Sequence, residues 1–183
     1  MSRAGLRHLS VRQWSLAGFS FCVLMMLVAL ALEHIGGLEP CPLCIFQRVA
    51  VLAAAAVFLV AAIHNPRGRV GAALYGGLSL AAVIGGIGVA WRHLWLQSLP
   101  PDQVPSCGPG LDYMMDILPM RDVVSMVLSG SGECAEIDFL LLGISLPGWT
   151  LIGFLVLALA PLGILLGAFL ERPGSLNGSR RAA

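Results

Sequence analysis

The sequence predicts an all-α membrane protein, a bundle of four antiparallel transmembrane helices. Three observations carry that expectation. Of the 183 residues, 57% are apolar and 11% are charged, less than half the roughly 25% charge of a soluble domain. Mean hydropathy is +0.85, more apolar surface than a soluble core of this size can hide. The charges gather between four long apolar runs. Disorder is excluded, because it needs low hydrophobicity and high net charge. A net charge of +1 provides no basic field and argues against a nucleic-acid reader.

Residues 13–32 carry no charge and form the first predicted span, since about 20 helical residues cross the roughly 30 Å hydrocarbon core. Arg3, Arg7 and Arg12 before this run, and Ala29-Leu30-Ala31 near its end, also suit a signal peptide. A signal core is usually about 7–15 residues, so the longer run is read as a retained span. Span two covers about 43–63, with Arg48 its one charge, and span three covers 70–91. Span four is expected at about 147–170, with Pro147 in its first turn and Trp149 at the interface. Pro161 should kink it. In span three, Ala73, Gly77, Ala81 and Gly85 recur every fourth position and are expected to form the close-packing face. Residues 1–172 thus form a single membrane domain, and 173–183 read as a disordered cytoplasmic tail.

The charges assign the sides. Arg3, Arg7, Arg12, Arg67, Arg69, Arg172, Arg180 and Arg181, 8 of the 11 basic residues, lie in the ends and the middle loop, with Glu171 the one acid there. The other two loops hold 9 of the 10 acids, with Arg92, Arg121 and the boundary Arg48. The positive-inside rule makes both termini cytoplasmic and turns the first and third loops outward. The third loop, 92–146, is long; within it Leu111, Met114, Met115 and Leu118 recur at helical spacing and predict a short interfacial helix, ended by Pro119.

Four cysteines, Cys41, Cys44, Cys107 and Cys134, fall on the outward side, while Cys22 lies mid-span and reads as a small buried residue. Outward cysteines in even number point to an oxidising compartment. Cys41-Pro42-Leu43-Cys44 is a C-x-x-C at a helix start, where the dipole favours a thiolate. Arg48 is one turn beyond Cys44 on the same face; an arginine inside a span is costly and usually functional. Cys107 and Cys134 lie among Gly, Ser and Pro. Four cysteines allow three pairings, and three chemistries compete. Structural disulfides are one, although a C-x-x-C ring is too small to stabilise much. A zinc site is the second, although the other half is C-x26-C with no histidine at ligand spacing. Thiol–disulfide exchange between the two pairs is the third and the favoured one.

The segments Glu39–Arg48 (EPCPLCIFQR), Arg92–Gln97 (RHLWLQ), Ser106-Cys107, Ser131–Glu136 (SGECAE) and Pro147-Gly148-Trp149 together resemble the disulfide bond formation protein B (DsbB) family of bacterial inner-membrane thiol oxidases. The resemblance spans about 14–170. It implies a four-helix bundle with two periplasmic loops. It also implies that Cys41 and Cys44 form the redox pair beside a bound ubiquinone or menaquinone, with Arg48 and His93 near it. Cys107 and Cys134 would reoxidise a periplasmic DsbA-like thioredoxin-fold oxidase. The partner's thiolate would attack Cys107, Cys134 would communicate with Cys41, and Cys44 would face the quinone. DsbA is a strong oxidant, at about −120 mV, which an ordinary structural disulfide below about −300 mV could not reoxidise; a quinone supplies the terminal acceptor.

Glu33, His34 and Glu39 are read as solvated loop residues, and Trp91, Trp95 and Trp149 as interface anchors. Quinone-linked oxidases resembling vitamin K epoxide reductase share the bundle but place the C-x-x-C in a late helix; here it precedes span two. Two further readings compete: a non-enzymatic scaffold with structural disulfides, and a paralogue serving a dedicated partner.

Overall fold

The computed structural model describes residues 10–106, 111–137 and 139–170. Cys107 and the tail 173–183 lie outside the described residues. Four helical segments are long and apolar enough to cross a membrane: α1 (Val11–His34), α2 (Pro42–His64), α3 (Arg69–Gln97) and the paired α6 (Leu146–Leu157) and α7 (Leu159–Leu170). Between α3 and α6 lie α4 (Leu111–Ile117), α5 (Met120–Ser129), a single 3-10 turn (Gly132–Cys134) and a two-stranded hairpin, β1 (Leu140–Leu141) with β2 (Ile144–Ser145).

The chain's local chemistry sets most helix ends. Ser10 and Gln13 form a capping box at the start of α1. Asn65, in the left-handed region at φ 45°, ends α2. Pro147 sits in the first turn of α6, as expected. The break at Ala158 lies one turn before Pro161, which has no N–H to give the Leu157 carbonyl. The predicted loop helix is α4, which ends before Pro119 as expected, and Pro119 caps a second helix, α5. Leu111 and Leu118 are partly buried and Met114 is 3% exposed against the bundle. Met115 is exposed, so most of that face packs on protein.

The helices close a ring in the order α1, α2, α3, α6/α7 and back to α1. Polar contacts at opposite ends show that neighbours run antiparallel. Arg48 on α2 pairs with Glu33 at the end of α1. His64 meets the Tyr75 hydroxyl at 2.7 Å, tying the end of α2 to the start of α3. Arg69 at the start of α3 donates to the Ala168 carbonyl (2.8 Å) and the Phe169 carbonyl (3.3 Å) at the end of α7. At the other end, Ser145 donates to Gln97 Oε1 at 2.8 Å. The outer faces stay apolar, with Leu24, Leu27, Leu52, Leu78 and Leu155 exposed, as lipid contact requires.

Two expectations change. The close-packing face of α3 is Ala72, Gly76, Val83, Gly86 and Ala90, not Ala73, Gly77, Ala81 and Gly85. A Cβ at Gly86 would overlap the Phe154 ring, whereas Gly77 and Gly85 have open space beside them. The small residues that matter are one position along, where a large partner ring lies against the backbone. Span three also runs two turns past residue 91, to Gln97. Arg92 does not end it. Its guanidinium stacks on Trp95 at 4.1 Å and donates to the carbonyls of Leu128 (3.0 Å) and Ser129 (2.9 Å).

Candidate functional site

The site is built on the first turn of α2. Cys41 is the N-cap, and its Sγ accepts from the Cys44 backbone N–H at 3.4 Å. Pro42 at the next position has no N–H to leave unpaired. This geometry turns both side chains to one side, with the Cys41 thiol on Cys44 Sγ at 3.2 Å.

His93, from the extended part of α3, reaches the same spot. Its Nε2 is 3.7 Å from Cys41 Sγ and its Nδ1 is 4.0 Å from Cys44 Sγ. The ring is 3% exposed. Gln47, buried one turn from Cys44, holds it with its amide 3.3 Å from Nδ1. Sequence reading passed over Gln47, although its place one turn after the C-x-x-C puts it on the cysteine face.

Cys134 comes from the long connection. It is 1% exposed and packs with Leu43, Leu96, Met114, Val123 and Val127, with Cys41 against the same cluster. Gly130 makes this approach feasible. It adopts φ 86°, and a Cβ there would overlap Leu96, so the chain turns off α5 where only glycine fits. The Cys41 sulfur, and then burial, push the Cys134 thiol above its ordinary range.

A cavity of about 570 Å³ opens beside the cysteines, lined by α1, α2, α3, α6 and the connecting loops. Cys41, Cys44, Gln47, Arg48 and His93 cluster on its wall, and apolar side chains of α1 and α6 supply the rest. Arg48 is held by Glu33, and its other nitrogen lies 3.5 Å from the Ala29 carbonyl. This corrects the reading of Glu33 as a solvated loop residue: α1 is longer than its uncharged run, so Glu33 is helical and half-buried. His34 and Glu39 are exposed as expected, although His34 is the last residue of α1 rather than loop and Glu39 borders the cavity. Trp91 and Trp95 are exposed at the end of α3. Trp149 also lines the cavity, and its indole donates to the Leu141 carbonyl at 3.1 Å. The structure thus gathers Cys41, Cys44, Cys134 and His93, with Arg48 on the same cavity. Cys22, 1% exposed, is packed in the bundle core.

The family model for "Disulfide bond formation protein DsbB" matches residues 11–164. This chain belongs to the DsbB family. It is 60% identical over 167 residues to a disulfide bond formation protein B of Chromohalobacter salexigens, an alignment covering 91% of this chain and 97% of that one. A protein of the same name from Nitrosococcus oceani is 51% identical, covering 85% of this chain and 91% of that one. One from Acinetobacter baumannii is 56% identical, covering 79% and 81%. As a DsbB-family member, the chain is a multi-pass membrane protein of disulfide bond formation, with disulfide oxidoreductase activity in general. The matched region includes both the C-x-x-C and Cys134.

Proposed function

We propose that the chain is a membrane thiol oxidase that reoxidises a periplasmic DsbA-like partner and passes the electrons to a membrane quinone. On this reading it lies in the bacterial inner membrane, with both termini cytoplasmic and the cysteine end periplasmic, as the arginine distribution predicts. The observation that carries the proposal is the placement of Cys41 and Cys44 between two things: the Cys134 thiol on one side and the cavity on the other.

The cavity's donor set fits a quinone. Its volume of about 570 Å³ lies in the usual range for small-molecule sites, about 300–1,000 Å³. Phe21, Met25, Val28, Ile152 and Val156 offer an apolar wall for a ring and an isoprenoid tail. Arg48, His93 and Cys44 converge as the polar groups. Bound there, a quinone supplies the terminal acceptor for two electrons and two protons.

The exchange steps balance along the chain's own residues. A partner dithiol attacks the Cys107–Cys134 disulfide at Cys107; the partner leaves as a disulfide and the two loop cysteines become thiols. Cys134 then attacks Cys41 of the Cys41–Cys44 disulfide, and the loop disulfide re-forms as the C-x-x-C takes up the electron pair. His93 Nε2, facing Cys41 Sγ, is placed to accept a thiol proton. Arg48 offers donors for a carbonyl oxygen and negative charge in a low-dielectric site.

The test is a purified-protein assay. Extraction should recover quinone, and catalytic protein should reoxidise reduced DsbA-like partner in a quinone-dependent way. Cys44→Ser should abolish turnover yet still form a mixed disulfide through Cys107. Normal turnover in Cys44→Ser would remove the mechanism.

A further inference from the structure

We propose that the reduced Cys41/Cys44 pair and His93 form a binding site for a thiophilic cation, Zn2+, which holds the pair in its reduced state. Sequence spacing hides this site, because His93 lies 49 residues after Cys44. The fold supplies the missing ligand.

The donor atoms of all three side chains lie within 4.8 Å of one another. The two sulfurs are 3.2 Å apart; Nε2 lies 3.7 Å from Cys41 Sγ, and Nδ1 lies 4.0 Å from Cys44 Sγ. With Zn–S about 2.3 Å and Zn–N about 2.0–2.1 Å, tetrahedral ligands stand roughly 3.5–3.8 Å apart. With Nε2 as the metal ligand, its separation from Cys41 Sγ already lies in that range, the two sulfurs must part by about half an ångström, and the ring must close on Cys44 Sγ from within the 4.8 Å that encloses the three donors. Three protein ligands and a bordering cavity leave a fourth position for water, the arrangement of an open zinc site.

Charge favours the same occupant. On binding, both thiols release protons to solvent, and two thiolates with one neutral imidazole meet one dication. The complex is neutral, so it avoids the cost of a buried net charge. No electron moves. Gln47 serves the ligand it already touches: with Nε2 on the metal, Nδ1–H donates to the amide oxygen, which exchanges places with the amide nitrogen by a half-turn. Sulfurs committed to the metal cannot join as a disulfide, so the cation traps the reduced enzyme and leaves the oxidised form untouched.

The site is tested without quinone or partner, so its failure leaves the proposed function standing. Full-length protein in detergent is reduced, desalted without oxygen, and titrated with Co2+ and then Zn2+. One Co2+ per chain should give thiolate-to-cobalt charge-transfer absorption, which Zn2+ removes. Cys41→Ser and Cys44→Ser should lose that absorption. His93→Ala should bind at least about tenfold more weakly, and Gln47→Ala about tenfold more weakly. Cys22→Ala should bind normally. Oxidised wild-type protein, a control that needs no substitution, should not bind. Stoichiometric binding by oxidised protein, or by Cys44→Ser, would overturn the proposal. So would loss in Cys134→Ser with full binding in His93→Ala, which assigns the metal to an all-cysteine site.

Discussion

Arg48 and Arg69 each sit near the start of a helix, at opposite ends of the same bundle, and their surroundings differ. Arg69 spends its donors on the main-chain carbonyls of Ala168 and Phe169, the last turn of α7. That is a structural latch, a cation on the negative end of a helix. Arg48 is matched to a side-chain carboxylate, Glu33, and lines a cavity beside two sulfurs. A charged group within a span marks a site only when its partners leave it facing space that a ligand can enter. At the latch end the polar groups close the ring; at the cysteine end they surround a cavity.

Substitutions can break this contrast or sharpen it. Arg48→Ala should have the largest effect, lowering quinone-dependent turnover about a hundredfold, with thiol exchange between Cys107–Cys134 and partner nearly unchanged. Stopped-flow separation of the two steps checks it, and equal loss of both would recast Arg48 as a second latch. Next comes the Cys134 thiol. Its pKa is raised, so at neutral pH it stays protonated. In reduced protein its alkylation should be at least about tenfold slower than an ordinary thiol's, and should keep rising with pH beyond about 8.5. Mass spectrometry of the modified peptide reads this, and a plateau near that pH would contradict it. Arg69→Ala should cost about 1 kcal/mol of stability, seen as a lower thermal midpoint in detergent, with turnover unchanged. Cys22→Ala should be smallest: normal turnover and no more than about 1 kcal/mol lost from the core.

The spans were legible because lipid demands long apolar runs, and the C-x-x-C because two thiols at a helix start have few uses. The packing face of α3 was not legible. In lipid, both the buried and the exposed faces of a helix are apolar, so periodicity could not separate Gly76 and Gly86 from Gly77 and Gly85; only the Phe154 ring does so. Glu33 was misread because a charge was taken to end the span, although α1 carries it as a helical residue facing Arg48. The β1–β2 hairpin was missed because its turn is Leu142-Gly143, both at positive φ (55° and 79°), where asparagine or aspartate before glycine is the usual signal. His93, 49 residues after Cys44, comes close to the C-x-x-C only after folding, whereas Gln47 was in view one turn beyond Cys44.

The last two turns of α3 carry the contacts that hold the long connection. Leu96 lies against Gly130, Gln97 donates to the Glu136 carbonyl at 3.2 Å and accepts from Ser145. His93 belongs to the same rigid rod, one turn below. The loop cysteine and the imidazole are therefore surveyed from a single benchmark. Insertions elsewhere in the long connection can change its contour without displacing Cys134, because its position is set by a nearby fixed mark rather than by chain length.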